Sequence, residues 1–250
     1  MQAGFRAQRS YEDQVMRLSQ SIHDGFQCPK PAKRTVVALL DFSKAYDKVW
    51  QADVLRTMLD KGIPPRFVRW IKGFLTNRQA RVRFQGELSE TRHFREGVPQ
   101  GSVLAPILFL FAIDGLNARL PLGIEISLFA DDVALWASRA GRSGVPHSGL
   151  DEANKVVERG VQEVYRWSRE KKLDLNLKKC QVGFFSPHTK EFSAWRPNVC
   201  VGGTTIAFRE NPEFLGVVYD RLLCFSEQVK KAAGKLVKGS QMCAALSCTA

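Results

Sequence analysis

Near the start of the chain, apolar residues first recur at helical spacing and then, further along, stand in one consecutive run. A stripe from Tyr11 to Ile22, with spacings of four, three and four residues, predicts an amphipathic helix. Ser10, with Asp13 three residues later, has the pattern of a capping box at the start of this helix. The consecutive apolar residues 36–40 predict a buried strand.

Two helices, a hairpin and a third helix are predicted between residues 51 and 113. The first helix covers about 51–61, and the second begins at Pro65. The apolar side of the second helix is predicted to consist of Phe67, Trp70, Ile71 and Phe74. The segments 81–88 and 91–97 have the pattern of two hairpin strands, and the apolar run 103–113 that of a buried helix.

The pattern that follows is strand, acidic turn, strand and long helix. The apolar runs 126–129 and 133–136 flank Asp131 and Asp132, which predicts two strands joined by a tight turn. Valines at helical spacing predict a long helix over about 151–172. Because strands and helices alternate irregularly, with a hairpin among them, the predicted fold class is α+β.

The net charge of the chain adds a second observation. The 250 residues include 37 Lys and Arg against 25 Asp and Glu, which gives +12 and an isoelectric point near 9.6. Such a basic balance is typical of nucleic-acid-binding proteins. Half of the charge lies between residues 66 and 95, where two glutamates accompany eight basic residues. These are Arg66, Arg69, Lys72, Arg78, Arg81, Arg83, Arg92 and Arg95.

Within this stretch, the predicted strand 81–88 alternates basic and apolar residues at its start. Arg81 and Arg83 would share one face of the strand, with two apolar side chains on the other. A basic face suits the backbone of a duplex, so Arg78, Arg81 and Arg83 are candidate nucleic-acid-binding residues. The alternative is a solvated edge strand whose charges prevent aggregation.

The cysteines and the apolar runs argue against a zinc protein, a secreted protein and a membrane protein. The six cysteines form no Cys-x-x-Cys pair, which favours buried, reduced thiols over a zinc site. Residues 1–10 lack the apolar core of a signal peptide. The longest apolar run, 103–113, is shorter than the roughly 20 residues that span a membrane. We therefore expect an intracellular protein, nuclear or cytoplasmic, with no membrane partner.

Three carboxylates stand at the ends of predicted buried strands. Asp41 follows the strand 36–40, and Asp131 and Asp132 occupy the predicted turn. Unpaired carboxylates are costly to bury, whereas magnesium binds one or two carboxylates together with substrate phosphates. Two such ions about 4 Å apart can activate an attacking hydroxyl and stabilise a leaving group. The site requires the two strands to be neighbours; ordinary turn chemistry is the alternative.

Six stretches of sequence occur in a definite order around these carboxylates. They are residues 4–6 with 9–14, 40–49, 96–106, 129–132, 175–180 and 214–217. They resemble the segment that joins fingers to palm, and then the successive palm motifs, of reverse transcriptases, especially those of non-LTR retrotransposons. The resemblance implies a right-hand polymerase palm, in which an antiparallel sheet packs on helices.

The resemblance also implies roles for the acidic residues. Asp41 and Asp131 would hold two magnesium ions, with manganese as an alternative metal. The Phe42 carbonyl would be a further ligand, and Asp132 would be the second carboxylate of the acidic pair, near the primer end.

Other residues would contact the substrates. Tyr46 stands where the family keeps an aromatic against the sugar, so that its ring would exclude a 2′-hydroxyl; its alternative role is a buried aromatic at the start of a helix. Gln100 and Gly101 would lie beside the templating base pair, since glycine lets a ligand approach the backbone. Lys179 matches a lysine that protonates the leaving pyrophosphate. Its neighbour Lys178 is the second candidate for that role, and a solvated lysine is the alternative.

The resemblance implies a division of the chain as well. Residues 1–35 would be partial fingers and the fingers–palm junction, 36–220 the palm with inserted fingers elements, and 221–250 the start of the thumb. The implied activity is RNA-directed DNA polymerase, with an RNA template, a DNA primer, dNTPs and other domains of the full element protein as partners. A basic fingers segment precedes these motifs in relatives, so we expect a fragment.

Two other functions stay open. A reverse transcriptase of the group II intron maturase kind has the same palm, although the stretches 43–47 and 129–132 favour the retrotransposon branch. A decayed element would leave an inactive nucleic-acid-binding remnant. The intact carboxylates argue against decay, whereas the missing fingers segment argues against activity of the chain by itself.

Overall fold

The computed structural model describes residues 2–247, and the side chains of residues 2–237. Its α-helices are α1 (Tyr11–Gln27), α2 (Gln51–Asp60), α3 (Pro65–Leu75), α4 (Leu104–Ala112), α5 (Ser148–Glu170), α6 (Glu191–Ala194) and α7 (Ser226–Ser247), with a 3-10 helix at Leu116–Arg119. Its strands are β1 (Lys33–Leu40), β2 (Arg78–Ala80), β3 (Arg83–Phe84), β4 (Glu87–Leu88), β5 (Arg92–Phe94), β6 (Glu125–Phe129), β7 (Asp132–Ala140), β8 (Gln181–Phe185), β9 (Cys200–Val201), β10 (Thr204–Thr205), β11 (Ala207–Phe208), β12 (Glu213–Phe214) and β13 (Val217–Val218).

A five-stranded sheet in the order β11, β8, β1, β7, β6 forms the centre of the fold. Strand β1 pairs antiparallel with both β7 and β8, and β6 pairs antiparallel with β7, while β11 is parallel to β8. The register sets Leu40 opposite Val133, and Phe129 opposite Asp132. An antiparallel-dominated sheet packed on helices confirms the predicted α+β class.

Both faces of the sheet are covered, which is why residues 36–40 read as one continuous apolar run. Alternate residues of β1, such as Val36, face a large core to which α2, α3, α4 and α5 contribute. The residues between them, such as Val37, face a second core with Leu18 and Ile22 of α1. The sheet is therefore the middle layer of three.

The capping box predicted at the start of α1 is confirmed. The Ser10 hydroxyl accepts a hydrogen bond from the Asp13 amide at 3.3 Å, and the Asp13 carboxylate accepts one from the Ser10 amide at 2.9 Å. These bonds satisfy amide groups that have no partner within a helix. They fix the start of α1 at Tyr11.

The predicted hairpin exists, but its turn was wrongly placed. Strands β2 and β5 pair, and β3 and β4 pair beyond them, so that residues 78–94 form one exposed arm. The chain reverses at Gln85 and Gly86, which have φ angles of +49° and +91°. Two successive residues with positive φ suit a tight hairpin turn. The predicted strand 81–88 therefore contains the turn, and its two ends belong to different strands.

The predicted apolar side of α3 is also partly wrong. The buried residues of this helix are Val68, Ile71 and Leu75. Phe67 and Trp70, in contrast, are 51% and 61% exposed. Phe74 is half-buried and packs against the core, as predicted. The helix thus turns its aliphatic residues and Phe74 to the core and leaves Phe67 and Trp70 outside, which the apolar pattern by itself does not determine.

The environments of the cysteines differ from the expectation of buried thiols. Cys180 is buried, Cys28 and Cys200 are half-buried, and Cys224 is exposed; all four are free thiols. The side chains of Cys243 and Cys248 lie outside the described residues. Among the helices that the structure describes, none combines the length and the hydropathy that crossing a bilayer requires.

Candidate active site

The three predicted carboxylates lie at one edge of the central sheet. Asp41 follows the last residue of β1, and that residue pairs with Val133 of β7. Asp132 begins β7 opposite the end of β6, so that Asp131 lies in the turn between these two strands. Because β1 and β7 are antiparallel neighbours, the end of one strand and the start of the other bring Asp41 beside the acidic turn.

The carboxylates at this edge of the sheet raise one another's pKa values. Burial, and then the negative charges of Asp131 and Asp41, raise the pKa of Asp132 to about 6. Burial and the charge of Asp41 also raise the pKa of Asp131, whereas backbone hydrogen bonding and Lys179 oppose the increase. Half-buried carboxylates of like charge favour a bound cation or a proton.

A loop that follows α5 is attached to Asp41. The Asn176 amide donates to the Asp41 carbonyl at 2.8 Å, and the Ser43 amide donates to the Asp174 carbonyl at 2.7 Å. This loop brings Lys179 to the site, where its Nζ lies 3.9 Å from a carboxylate oxygen of Asp41. The ammonium group therefore lies at the carboxylates while most of its side chain stays exposed.

Tyr46 packs beside the carboxylates. Its ring is half-buried and stacks on Phe109 of α4, with 4.6 Å between ring centroids and an interplanar angle of 18°. Burial, and then the negative charge of Asp131, raise the pKa of Tyr46 to about 12. The residues around it form turns, with Lys44 at a φ of +49°, so the expected start of a helix at this point is wrong.

A second loop crosses this turn. The Val98 amide donates to the Tyr46 carbonyl at 2.8 Å, and the Gln100 side-chain amide donates to the Asp47 carboxylate at 2.9 Å. Gly97 has a φ of +79°, and a Cβ atom there would lie 2.5 Å from the Asp47 carbonyl oxygen. Gly101 has a φ of +85° with open space where its Cβ would be, which leaves room for another molecule.

An open cleft of about 430 Å³ begins at the carboxylates. Its walls include Asp41, Asp132 and Lys179 on one side. On the other side, the short hairpin of β12 and β13 contributes its turn, in which Leu215 and Gly216 have φ angles of +50° and +81°. The stretch 214–217, singled out in the sequence, is thus a tight turn that faces the acidic residues across the cleft.

The donor set at this edge fits hard cations. Within the part of the chain that the structure describes, no three His, Cys, Asp or Glu side chains form a metal-binding group by themselves. Two carboxylates with a backbone oxygen and substrate phosphates are nevertheless a set that magnesium accepts. Phe42 forms a bridge with Leu175 whose hydrogen bonds use the Asp41 carbonyl and the Ser43 amide, so this bridge does not occupy the Phe42 carbonyl.

Comparison with known sequences decides the family. The model of the family "Reverse transcriptase (RNA-dependent DNA polymerase)" matches residues 1–219. The chain belongs to the reverse transcriptase family. The family expected from the six stretches of sequence is therefore confirmed.

Curated relatives of this chain come from mobile elements. It is 26% identical to the RNA-directed DNA polymerase from mobile element jockey of Drosophila melanogaster, over 91% of this chain and 24% of the relative. It is 28% identical to the probable RNA-directed DNA polymerase from transposon X-element of the same species, again over 91% of the chain and 24% of the relative. The chain thus spans about a quarter of the length of these relatives.

Solved structures support the fold of this chain. Apo telomerase from Candida tropicalis, truncated from the C-terminal domain, aligns with a TM-score of 0.54 and 10% identity, over 85% of this chain and 38% of the other. Telomerase of the same species with a fragment of telomeric RNA aligns with a TM-score of 0.57 and 11% identity. The alignment covers 86% of this chain and 32% of the telomerase chain. At such identities the likeness concerns the right-hand polymerase fold alone.

The structure adds a contact at the acidic turn that sequence reasoning missed. The Gln2 side chain donates to the Ala130 carbonyl and accepts from the Ala130 amide, both at 3.1 Å. It also accepts from the Gly4 amide at 2.8 Å. A Cβ atom at Gly4 would lie 2.4 Å from the Ala130 nitrogen. Gly4 belongs to a stretch that the sequence singled out, but no local pattern joins it to a residue so distant in the chain.

The three arginines predicted to bind nucleic acid have different environments. The Arg78 guanidinium donates to the carbonyls of Leu75, Glu96 and Gly97, and burial lowers its pKa. It therefore closes the base of the arm. Arg81 is exposed and donates to the Thr91 hydroxyl at 2.6 Å. Arg83 is exposed near the tip of the arm. Their binding role stays a prediction, and Arg81 and Arg83 are the better placed.

Proposed function

We propose that this chain is the palm-centred part of an RNA-directed DNA polymerase from a non-LTR retrotransposon. In this reaction the primer 3′-oxygen bonds to the α-phosphorus of a dNTP, and the bond to pyrophosphate breaks. The observation that carries the proposal is the meeting of Asp41, Asp131 and Asp132 at adjacent strand ends beside an open cleft. The mobile-element relatives support the retrotransposon assignment.

The carboxylates would hold the metal ions on which reverse transcriptases generally depend. Asp41 and Asp131 with the Phe42 carbonyl would bind two magnesium ions, with manganese as a substitute, and Asp132 would lie toward the primer end. Bound there, magnesium activates the attacking hydroxyl and stabilises the charge on the pyrophosphate. The raised pKa values of Asp131 and Asp132 support this role, because a divalent cation compensates the like charges that raise them.

The residues around the carboxylates would position the substrates. Tyr46 would lie under the sugar of the incoming nucleotide, where its ring is supported by Phe109. Gln100 and Gly101 would lie beside the templating base pair, and the open space at Gly101 supports this. Lys179, which contacts Asp41, would give a proton to the departing pyrophosphate; Lys178 also lines the cleft.

The partners and the division of the chain belong to the same proposal. An RNA template and a DNA primer would occupy the cleft, with other domains of the element protein around them. Residues 1–35 would join fingers to palm, 36–220 would form the palm with inserted fingers elements, and 221–250 would begin the thumb. Helix α7, which follows the hairpin at the cleft, supports the last of these boundaries.

Primer extension tests the proposal. We expect incorporation of dNTPs on an RNA template with a DNA primer and magnesium, measured both on this chain and on a polypeptide extended at both ends. Asp131→Asn should abolish extension, while the matched change Asp60→Asn, at an exposed position on α2, should leave it intact. No extension by either polypeptide, although both bind template–primer, would favour an inactive remnant. Equal extension by Asp131→Asn and the wild type would mean that Asp131 does not hold a catalytic metal ion.

A further inference from the structure

Helix α3 presents three separate stripes of side chains. The buried stripe is Val68, Ile71 and Leu75. The basic stripe is Arg66, Arg69 and Lys72, all exposed. The aromatic stripe is Phe67, Trp70 and Phe74. Spacings of three and four residues keep each stripe on its own side of the helix. The aromatic and basic stripes together are called here the outer face of α3, and none of their residues lines the cleft at the carboxylates.

Two rings of the aromatic stripe are exposed, whereas Phe74 is half-buried and packs against the large core. Phe67 is 51% exposed and Trp70 is 61% exposed. The rings of Trp70 and Phe74 lie nearly parallel, with an interplanar angle of 10° and 6.1 Å between centroids. Large aromatic side chains usually bury most of their area, and an exposed group of them marks an interaction surface. A flat, parallel pair offers its outer ring face to another planar group.

The basic stripe gives this surface one sign of charge. Helix α3 contains three basic residues and no acidic residue. Among the residues that the structure describes, no carboxylate lies within ion-pair distance of Arg66, Arg69 or Lys72, whereas many exposed cations elsewhere have such a partner. The Arg66 guanidinium lies 5.0 Å from the centroid of the Phe67 ring. The charges therefore remain available for an anionic ligand.

We propose that the outer face of α3 binds single-stranded nucleic acid. Unpaired bases would stack on Trp70 and Phe67, and phosphates would contact Arg69 and Lys72. Exposed rings beside cations are the combination that binds single strands, because every base has a π-face and every linkage a negative charge. A duplex offers its phosphates but keeps its bases stacked inside. This second binding surface does not rest on polymerase activity, since it requires neither the carboxylates nor a metal.

Binding affinities measured by fluorescence anisotropy test whether bases stack on Trp70 and Phe67. The labelled probes are twelve-nucleotide oligo(U) and oligo(dT), compared with a blunt duplex of equal length. Trp70→Ala should weaken binding of a single strand at least about fivefold, and Trp70→Phe should restore most of it. Duplex binding should change less than twofold. Tyr11→Ala removes another exposed aromatic, on α1, and should leave all affinities unchanged. Oligo(U) and oligo(dT) identify whether RNA or DNA is preferred.

Salt dependence tests the basic stripe separately. The double variant Arg69→Gln with Lys72→Gln should flatten the log–log salt slope for a single strand by about 1.4, since each phosphate contributes roughly 0.7. Trp70→Ala should leave that slope unchanged. Phe67→Ala provides a second variant if Trp70→Ala melts early. Unchanged single-strand affinity in both aromatic variants, or an equal loss on single strand and duplex, would overturn the proposal. Failed primer extension would not bear on it.

Discussion

At the scale of single residues, the acidic turn depends on groups from distant parts of the chain. Gln2 satisfies both backbone groups of Ala130, whose φ is +54°. Positive φ is uncommon for a residue other than glycine, so a partner that fixes it has a direct effect on the neighbouring Asp131 and Asp132. The backbone next to the acidic pair is therefore fixed by Gln2, a residue from the start of the chain.

Asp132 provides a test of pH dependence. Its pKa is raised from 3.8 to about 6, so the folded chain favours the protonated form. The resulting stabilisation is present at low pH and is lost as pH rises through about 6. Without divalent metal at pH 7.5, Asp132→Asn should therefore raise the free energy of unfolding by about 1 kcal/mol after solvent screening, or Tm by about 2–4 °C.

Melting curves of the wild type and Asp132→Asn at a lower pH provide the control. At about pH 4 the difference between variant and wild type should nearly vanish, because both then carry a neutral group. Added magnesium should stabilise the wild type and have less effect on Asp132→Asn. A difference in Tm that stays constant from about pH 4 to 7.5 would mean that Asp132 does not titrate in this range.

Tyr46 provides a test of sugar selection. If its ring lies under the nucleotide sugar, Tyr46→Ala should admit ribonucleotides and lower the preference for deoxynucleotides about tenfold, which corresponds to about 1.4 kcal/mol. Tyr46→Phe keeps the ring and should keep the preference. The measurement is the ratio of ribo- to deoxynucleotide incorporation by the extended polypeptide, with melting curves beside it. An unchanged ratio in a folded Tyr46→Ala would assign Tyr46 to the core alone.

At the scale of elements, short segments with few buried contacts carry much of the basic charge. The arm of residues 78–94 is exposed along almost its whole length and is closed at its base by Arg78. Helix α3 before it is anchored by one aliphatic stripe. The exposed side chains of these elements are not part of the core, so they are free to serve binding.

The arm should contribute to the affinity for a template–primer duplex through Arg81 and Arg83. Replacing both by alanine should flatten the log–log salt slope by about 1 to 2, since each phosphate contributes about 0.9 on a B-form duplex. The matched variant Lys155→Ala with Arg159→Ala removes the same charge from the exposed side of α5 and should have a smaller effect. Equal slopes in the wild type and the arm variant would indicate that these arginines face solvent.

At the scale of the whole molecule, the sheet has a core on each face, and the carboxylate edge depends on both. Helix α5 covers one face and α1 the other. The second core is the smaller, and Ile22 and Trp136 are completely buried within it. Although α1 contains none of the residues proposed for catalysis, it supports the strands that carry them.

Ile22→Ala tests this dependence. Removing a completely buried aliphatic side chain should lower the free energy of unfolding by about 2–5 kcal/mol and lower Tm by several degrees. The matched change Met16→Ala, at a position on α1 that is 68% exposed, should have little effect. Denaturant unfolding measures both. If Ile22→Ala matches Met16→Ala, α1 is not part of the cooperative unit.

Local patterns in the sequence were sufficient to predict the strands next to the three carboxylates. The structure has strand β1 at the run 36–40, and strands β6 and β7 at the two runs around Asp131 and Asp132. These strands could be predicted because a strand buried on both faces has consecutive apolar residues. The order of the motifs was sufficient for the family. Even the capping box of α1 needed only residues three positions apart.

Tertiary structure decided the remaining features. In α3 two apolar stripes lie side by side, and only packing against the rest of the fold determines that the aliphatic one is buried. The turn of the arm depends on φ angles at Gln85 and Gly86, which an alternating pattern does not encode. The contact of Gln2 with Ala130 joins residues 128 positions apart. The spacing of apolar residues predicts which side of an element is buried. It does not predict which distant residues will be in contact, because those contacts depend on how the separate elements pack.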